Sequence, residues 1–256
     1  MIGVTEEMPR VVFAGFASCF GCQINITNIE KHLMDVLGQV DLRYWQLTSS
    51  DPMPEAFDVA VIEGAVTTEE ARAAVQRLRD GAKAVITIGA CAATAGIPGM
   101  STDDHEADMD AVYGANVPHV VADGAIAPMA VKDVIQVDFE VPCCPIDPYD
   151  FVEVLQHALY GSNAYRRTST LCGECKNNER GCFYGREMLC LGLVTRAGCG
   201  ARCPDLGRPC NGCAGLSPDA NVEQARRVAE RAGIGAAAFD GALRMFNQPI
   251  AVGEEG

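Results

Sequence analysis

The stretch Val11-Val12-Phe13-Ala14-Gly15-Phe16-Ala17-Ser18-Cys19-Phe20-Gly21-Cys22 carries the decisive pattern of this chain. Its first half is a short apolar run of strand length, Val11–Phe16, and its second half is a C-x-x-C loop. Ile26, Ile29, Leu33 and Val36/Leu37 then recur at helical spacing, so strand, cysteine loop and helix follow in order. The same order returns twice. Ala84–Ile88 leads into Gly89-Ala90-Cys91, and Val134–Val141 leads into Pro142-Cys143-Cys144-Pro145 and a helix from Tyr149 to Tyr160. Asp147 is placed to cap that helix, Pro148 to open it and Gly161 to close it. Val40–Trp45 and Val59–Ile62 read as two further strands. Ala71, Ala74, Val75 and Leu78 mark another helix, with a capping box Thr67-x-x-Glu70 at its start and Gly81 past its end. Strands alternating with helices predict an α/β fold whose mostly parallel sheet is covered on both faces.

In such a sheet the loops beyond the carboxyl ends of the strands share one edge, where ligands bind. Three separate segments therefore deliver Cys19, Cys22, Cys91 and Cys143/Cys144 to one place. The chain has 13 cysteines in 256 residues, an odd number, and Met1 to Arg10 shows no apolar segment after a basic one. A cytoplasmic protein is expected, and in that compartment clustered cysteines point to metal rather than disulfides. No apolar run reaches the ~18 residues of a membrane span, and a net charge of −14 argues against a nucleic-acid binder. Four thiolates suit zinc or an iron–sulfur cluster. Structural zinc sites usually use two local pairs, whereas here one pair and two single residues come from across the domain, which favours iron–sulfur. Zinc and unligated buried cysteines remain as alternatives. The small residues Ala90, Ala92, Ala93, Thr94, Ala95 and Gly96 around Cys91 read as room for a bulky cofactor. Helix starts beside Cys22 and Cys144 read as N–H donors to sulfur.

Residues 171–213 hold eight more cysteines and too few aliphatic residues for a core of their own. A 40-residue loop in a compact domain needs something to order it, and metal ligation can do so. The simplest partition groups Cys172, Cys175, Cys182 and Cys190 on one centre and Cys199, Cys203, Cys210 and Cys213 on another. Two structural zinc knuckles are the alternative. Pro218 to Ala232 reads as a helix with Asn221 as cap, and the Gly/Ala-rich tail from Gly233 as an irregular surface segment. The acidic stretch at 103–110 (Asp103, Asp104, Glu106, Asp108, Asp110) reads as a solvated loop. His32, His105, His119 and His157 read as surface or packing residues.

With these motifs assembled, the chain resembles the small, electron-transferring subunit of nickel–iron hydrogenases along nearly its whole length. The matching residues are Cys19-x-x-Cys22, Glu63-Gly64, Gly89-x-Cys91, Gly96-Ile97-Pro98-Gly99, Pro142-x-Cys144-Pro145, Cys172-x-x-Cys175, Cys190, Cys199 and Cys210-x-x-Cys213. The resemblance implies a flavodoxin-like domain, residues 1–165, with a proximal 4Fe–4S cluster on Cys19, Cys22, Cys91 and Cys144. It implies a mostly irregular C-terminal domain, residues 166–256, with a medial cluster on Cys199, Cys203, Cys210 and Cys213 and a distal one on Cys172, Cys175, Cys182 and Cys190. Three departures matter. Cys172 stands where the best-known members have histidine, Cys203 where they often have proline, and Cys143 where they have glycine. A fourth thiolate at Cys203 implies a medial 4Fe–4S rather than 3Fe–4S cluster. Cys144 directly precedes the proline, as the family's ligand does, and Cys143 is left as the unligated thirteenth cysteine.

The implied function is a wire. Hydrogen is split on a large subunit that supplies nickel and iron, and electrons pass through three clusters to an acceptor subunit of flavin, ferredoxin-like or heterodisulfide-reductase type. The family's exported members carry a twin-arginine signal absent here, so the resemblance is to cytosolic groups that reduce NAD, a deazaflavin or a heterodisulfide-reductase complex. Glu63 reads either as a carboxylate beside the proximal cluster or as a surface acid. Three other readings stand against the hydrogenase: the cluster subunit of a quinone reductase, a free-standing multi-cluster carrier and a zinc-stabilised interaction module. Three clusters of about −2 each take the charge from −14 to roughly −20.

Overall fold

Val11 to Ala14 are almost fully buried on alternate sides of one strand, which is possible only inside a sheet covered on both faces. The structure is a computed structural model that describes residues 8–101, 105–114, 124–163 and 167–246. Asp103, Asp104 and His119, the 165/166 boundary and both chain ends lie outside the described residues, as do the side chains of His32 and His105. The chain divides into two units, Met1–Ala164 and Tyr165–Gly256.

In the first unit, β1 (Arg10–Gly15), β2 (Asp41–Trp45), β3 (Val59–Glu63), β5 (Ala84–Ile88) and β7 (Phe139–Val141) form a five-stranded sheet in the order β2-β1-β3-β5-β7. Every neighbouring pair is parallel. Counting only these strands, the order is 2-1-3-4-5, that of flavodoxin-like folds. Between β3 and β5, β4 (Val66–Thr68) pairs antiparallel with β6 (Ala125–Met129), a small ribbon with no strong signal in the sequence.

Helices cover both faces. Val11, Phe13, Val59, Val61, Ile86 and Ile88 meet Ile26 of α1 (Gly21–Thr27) and Phe151, Val154 and Leu155 of the helix after β7. Val12, Ala14, Ala60, Ile62 and Val85 meet Val75 and Leu78 of α3 (Glu69–Gly81) and Ala92 of α4 (Gly89–Thr94). Each large side chain buried this way stabilises by about 1.5–3 kcal/mol relative to exposure.

The helix expected over Ile26 to Leu37 is two helices, α1 and α2 (Glu30–Leu37). Thr27 Oγ1 donates to the Ile24 carbonyl, and the Asn28 and Ile29 N–H groups bond three residues back, which tightens the chain into a turn between them. The start of α3 lies one residue beyond the expected box. Thr67 is still in β4, and Thr68 Oγ1 accepts the Ala71 N–H at 3.0 Å. The last strand is shorter than Val134–Val141, because Val134 and Ile135 bond back to the Val131 carbonyl in a helical turn. The acidic stretch is not a loop throughout, since α5 (His105–Tyr113) begins within it. Helix α6 (Pro148–Leu159) opens as expected, with the Asp147 carboxylate accepting the Tyr149 N–H at 2.9 Å.

At the amino end of the sheet Asp58 joins three strands. Its carboxylate accepts from the Arg10 backbone N–H at 2.8 Å and pairs with Lys83 at 2.9 Å, while its backbone meets Arg10, Lys83 and Ala84. Burial alone would raise its pKa, but these donors outweigh it and hold the carboxyl down to about 2, below the ordinary 3.8. A depressed carboxylate stabilises fully above its unfolded pKa and loses that contribution as pH falls toward the folded one. Asp58→Asn should therefore lower stability by about 1–2 kcal/mol at pH 7, allowing for solvent screening. Urea midpoints should show the deficit shrinking between pH 4 and pH 2.

The second unit has more core than its composition promises. Leu191, Val194, Ala225, Ala229, Phe239 and Leu243 bury one another, and a second group joins Leu171, Phe183, Cys190, Ala201 and Cys210. Its helices are α7 (Cys172–Cys175), α8 (Arg202–Asp205), α9 (Val222–Arg231) and α10 (Ala236–Arg244). Asn221 caps α9, accepting the Gln224 N–H at 2.9 Å, although the helix starts four residues after Pro218. The tail after Gly233 is helical where an irregular segment was expected. Phe239 and Leu243 stand four residues apart and bury against Ala225 and Ala229, so the interior lies on one face of α10. No helix among the described residues is long and apolar enough to cross a membrane.

Candidate metal centres

The carboxyl edge of the sheet gathers the first cysteines. Cys19 and Cys22 follow β1, Cys91 lies in α4 directly after β5, and Cys143 and Cys144 follow β7. Backbone bonds tie these loops together. Phe16 N–H donates to the Glu63 carbonyl at 2.8 Å, Ala17 and Ala65 exchange bonds, and Ala90 N–H donates to the Cys143 carbonyl at 2.9 Å. Asn25 Nδ2 reaches the Ile146 carbonyl at 2.7 Å, joining α1 to the turn after Cys144.

The thiols lie within electrostatic reach of one another. Burial raises the Cys22 pKa, and the charges of Glu63, Cys144 and Cys91 raise it further. Cys91 is pushed up to about 11 by burial first, then by Cys144, Cys19 and Glu63. Cys19 and Cys144 are exposed. In the metal-free chain Cys22 and Cys91 are therefore neutral at pH 7, and any metal that takes them must displace protons.

Glu63 is not a surface acid. It ends β3 at 2% exposure, and its two oxygens accept the N–H groups of Cys22 and Gln23, each at 3.1 Å. Both donors belong to the first turn of α1, which has no side-chain cap of its own. The N–H groups expected to face sulfur at that helix start thus go to a carboxylate, and the donors that lower the Cys22 and Cys91 pKa values are the backbone of Ile146 and Ile97. Gln23 extends the network. Its fully buried side chain accepts the Trp45 indole N–H at 2.7 Å, while its Nε2 has no partner among the described residues. The sequence reading missed Gln23 and Trp45. An amide beside Cys22 and a single tryptophan ending a strand were the only available signals.

The alanines near Cys91 do not line open space. Ala90, Ala92, Ala93 and Ala95 are buried, and their small size lets α4 pack closely on the sheet. The room beside the sulfurs is made by Gly89, at φ +84°, where a Cβ would stand 2.5 Å from Cys22 Sγ. Cys143 has φ +96°, a left-handed backbone that favours glycine.

In the second unit Cys172 is raised to about 11 by burial and then by Cys190, Cys175 and Cys182. Cys172 Sγ and Cys190 Sγ each stand 3.6 Å from where a Cβ on Gly192 would sit. Cys203 is raised by partial desolvation and then by Cys213 and Cys199, and Cys210 is raised to about 12, chiefly by burial. The Cys210 N–H donates to Cys190 Sγ at 3.2 Å and the Gly212 N–H to Cys210 Sγ at 3.4 Å. The Tyr184 hydroxyl donates to the Cys190 carbonyl, and Asn178 Nδ2 lies 3.5 Å from Cys175 Sγ. Cys172 thus lies near Cys190, Cys175 and Cys182, Cys203 near Cys213 and Cys199, and Cys210 beside both Cys190 and Cys213. Among the described residues, no three His, Cys, Asp or Glu side chains converge to hold a single ion. The His157 ring is occupied by Ser162 Oγ at 2.8 Å.

A parallel sheet with cysteine loops on its carboxyl edge, followed by a cysteine-rich unit, defines a class that comparison identifies. The family model described as NADH ubiquinone oxidoreductase, 20 Kd subunit, matches residues 19–158. Sulfhydrogenase 2 subunit delta of Pyrococcus furiosus is 33% identical, covering 80% of this chain and 85% of that relative. A subunit of the F420-non-reducing hydrogenase of Methanothermobacter marburgensis is 32% identical, covering 85% of this chain and 81% of the relative. The recombinant [NiFeSe] hydrogenase of Desulfovibrio vulgaris Hildenborough shares the fold, with a TM-score of 0.56 at 17% identity over 85% of this chain and 96% of that one. The chain belongs to the NADH ubiquinone oxidoreductase 20 Kd subunit family, as a hydrogenase small subunit.

Proposed function

We propose that the chain relays electrons between a nickel–iron large subunit and an acceptor subunit through three 4Fe–4S clusters. The proximal one is held by Cys19, Cys22, Cys91 and Cys144, the medial by Cys199, Cys203, Cys210 and Cys213, and the distal by Cys172, Cys175, Cys182 and Cys190. The observation that carries this reading is the carboxyl edge of the sheet, where the loops bearing Cys19 and Cys22, Cys91 and Cys144 follow β1, β5 and β7, with eight further cysteines in the second unit. All-thiolate sets fit a cubane, and Gly89 leaves beside Cys22 a space that any Cβ would fill. Such a cluster supplies one-electron steps at a potential set by its charge, its hydrogen bonds and its exposure. The chain contributes the rest. Ile146 and Ile97 direct donors at sulfur, Glu63 fixes the Cys22 loop and places a negative charge beside the proximal set, and exposed Cys19 and Cys144 face outward toward a partner. The acceptor is of flavin, ferredoxin-like or heterodisulfide-reductase type. A quinone-reductase subunit is disfavoured because its family model stops at residue 158, before the last eight cysteines.

Metal analysis of the purified complex tests the reading. About twelve iron and twelve acid-labile sulfide are expected from each copy of this chain, in addition to the iron of the nickel–iron site and of any cluster in the acceptor subunit. Two or three zinc without sulfide would end it in favour of zinc knuckles. Replacing Cys203 by proline should convert the medial cluster toward 3Fe–4S and produce a new oxidised EPR signal. The same signal from a Cys143 variant instead would overturn the ligand assignment.

A further inference from the structure

Thr195 is a polar side chain at 2% exposure, buried in the cysteine-rich unit without being a ligand of any set. Its backbone holds one set of cysteines. The Thr195 carbonyl accepts the N–H of Leu171, the residue directly before Cys172, at 2.8 Å, and Thr195 bridges antiparallel to Leu216. Its side chain meets the other set, since Thr195 Oγ1 accepts from the Cys210 thiol at 3.5 Å. Cys210 in turn stands against Cys190: its N–H donates to Cys190 Sγ at 3.2 Å, and its carbonyl accepts the Leu191 N–H at 2.9 Å.

A hydroxyl has one hydrogen and two lone pairs. In the metal-free chain the Thr195 hydrogen goes to the Leu191 carbonyl at 2.7 Å, and a lone pair receives the Cys210 S–H. That carbonyl is oversupplied, because the backbone N–H groups of Val194 and Thr195 also reach it, each at 3.0 Å. A metal-bound Cys210 has lost its proton and has none to give. Lone pairs on oxygen and sulfur would then face each other unless the O–H turns. Rotation about the single Cβ–Oγ1 bond exchanges the carbonyl for the sulfur and still leaves the Leu191 oxygen two backbone donors. The bond gained is charge-assisted and the bond given up is neutral, so the exchange is favourable. The only other donor given for Cys210 Sγ is a backbone one, the Gly212 N–H at 3.4 Å.

We propose that Thr195 is a positioning residue of the relay: its hydroxyl donates to Cys210 Sγ once that sulfur is ligated and holds up the potential of the centre that Cys210 serves. A donor to sulfur stabilises the reduced, more negative form more than the oxidised one. The assignment rests on the three-cluster reading above, in which Cys210 is a medial ligand, and adds a side chain that sets one of the three potentials.

Thr195→Val keeps the volume and the branch at Cβ, removes the hydroxyl and leaves no buried group without a partner. In an EPR-monitored redox titration of the purified complex, the ratio of reduced to oxidised medial cluster at a fixed potential should fall about tenfold, a midpoint ~59 mV lower for a one-electron couple. Thr195→Ala should shift it in the same direction, and Thr195→Ser, which keeps the hydroxyl, should stay within about twofold of the parent ratio. Repeating the series in the Cys203→Pro background reads the medial centre through an oxidised signal of its own. Ser217→Ala controls for loosening of the unit. Ser217 is also a buried hydroxyl, donates to the Thr168 carbonyl and accepts the Asp219 N–H at 3.1 Å, with no thiol among its hydrogen-bond partners in the described residues. That variant should leave the ratio within about twofold. An unchanged midpoint in Thr195→Val, an equal shift in Ser217→Ala, a shift confined to the distal cluster, or loss of medial iron from both Thr195→Val and Thr195→Ala would overturn the tuning role. Metal content separates the two readings. Full iron and sulfide with an unmoved potential sinks only the role of Thr195, whereas zinc without sulfide sinks the hydrogenase reading and that role with it.

Discussion

Gly89→Ala should remove about a third of the iron, from about twelve to about eight per chain, with the medial and distal EPR signals intact. The cause is local. Gly89 ends the turn from β5 into α4 at φ +84°, where a side chain is strained by about 1 kcal/mol. Strain alone would not empty a site. The methyl group would also stand 2.5 Å from Cys22 Sγ, so either that sulfur or the backbone of α4 must yield. Either Cys22 turns away and the proximal set loses a ligand, or α4 shifts and carries Cys91 with it. Gly161→Ala isolates the backbone effect, because Gly161 has φ +64° and a Cβ there meets nothing within 4 Å. That variant should lose about 1 kcal/mol and no iron. Equal iron in the two variants would show that Cys22 takes no part in the cluster.

Glu63→Ala should cost about 3–5 kcal/mol of stability in urea unfolding, with Trp45, the single tryptophan, as the natural probe. Two charge-assisted bonds are lost together, and the N–H groups of Cys22 and Gln23 remain buried without an acceptor. Glu63→Gln should cost roughly half as much, since the amide oxygen can still accept one bond while its NH₂ faces the other donor. Both variants remove a negative charge that raises the Cys22 and Cys91 thiols, so alkylation of the metal-free chain at pH 8 should be faster than in the parent protein. A Glu63→Ala variant within about 1 kcal/mol of the parent would mean that water replaces the carboxylate and that Glu63 does not hold the loop.

These two residues show how differently parts of the site were legible. Glu63-Gly64 was visible as a motif, and its acid could be placed on the right edge, but its burial and partners could not be read. A carboxylate at a strand end is ordinarily solvated, and only the closure of β1 against β3 brings the Cys22 and Gln23 donors to it. Gly89 was visible only as part of Gly89-x-Cys91. The room for a cofactor was assigned instead to the alanines after it, which pack against the sheet. Thr67 and Thr68 differ by one position, a distinction settled by how far β4 continues in pairing with β6, a contact between residues some sixty apart in sequence.

The sequence by itself determined the parallel α/β unit, the edge on which its cysteines meet and the order of the cysteine pairs. Those features follow from local periodicity and from the rule that strand-to-helix loops share one edge. Only the tertiary structure decided where the donors of α1 go, that Trp45 and Gln23 support Cys22, and that α9 and α10 give the cysteine-rich unit an apolar core. Each of these depends on contacts between distant segments. The thirteenth cysteine joins the two levels: the sequence singled out Cys143 by counting, and the fold gave it the backbone of a glycine, at φ +96°, because the loop after β7 must turn there for its carbonyl to receive the Ala90 N–H.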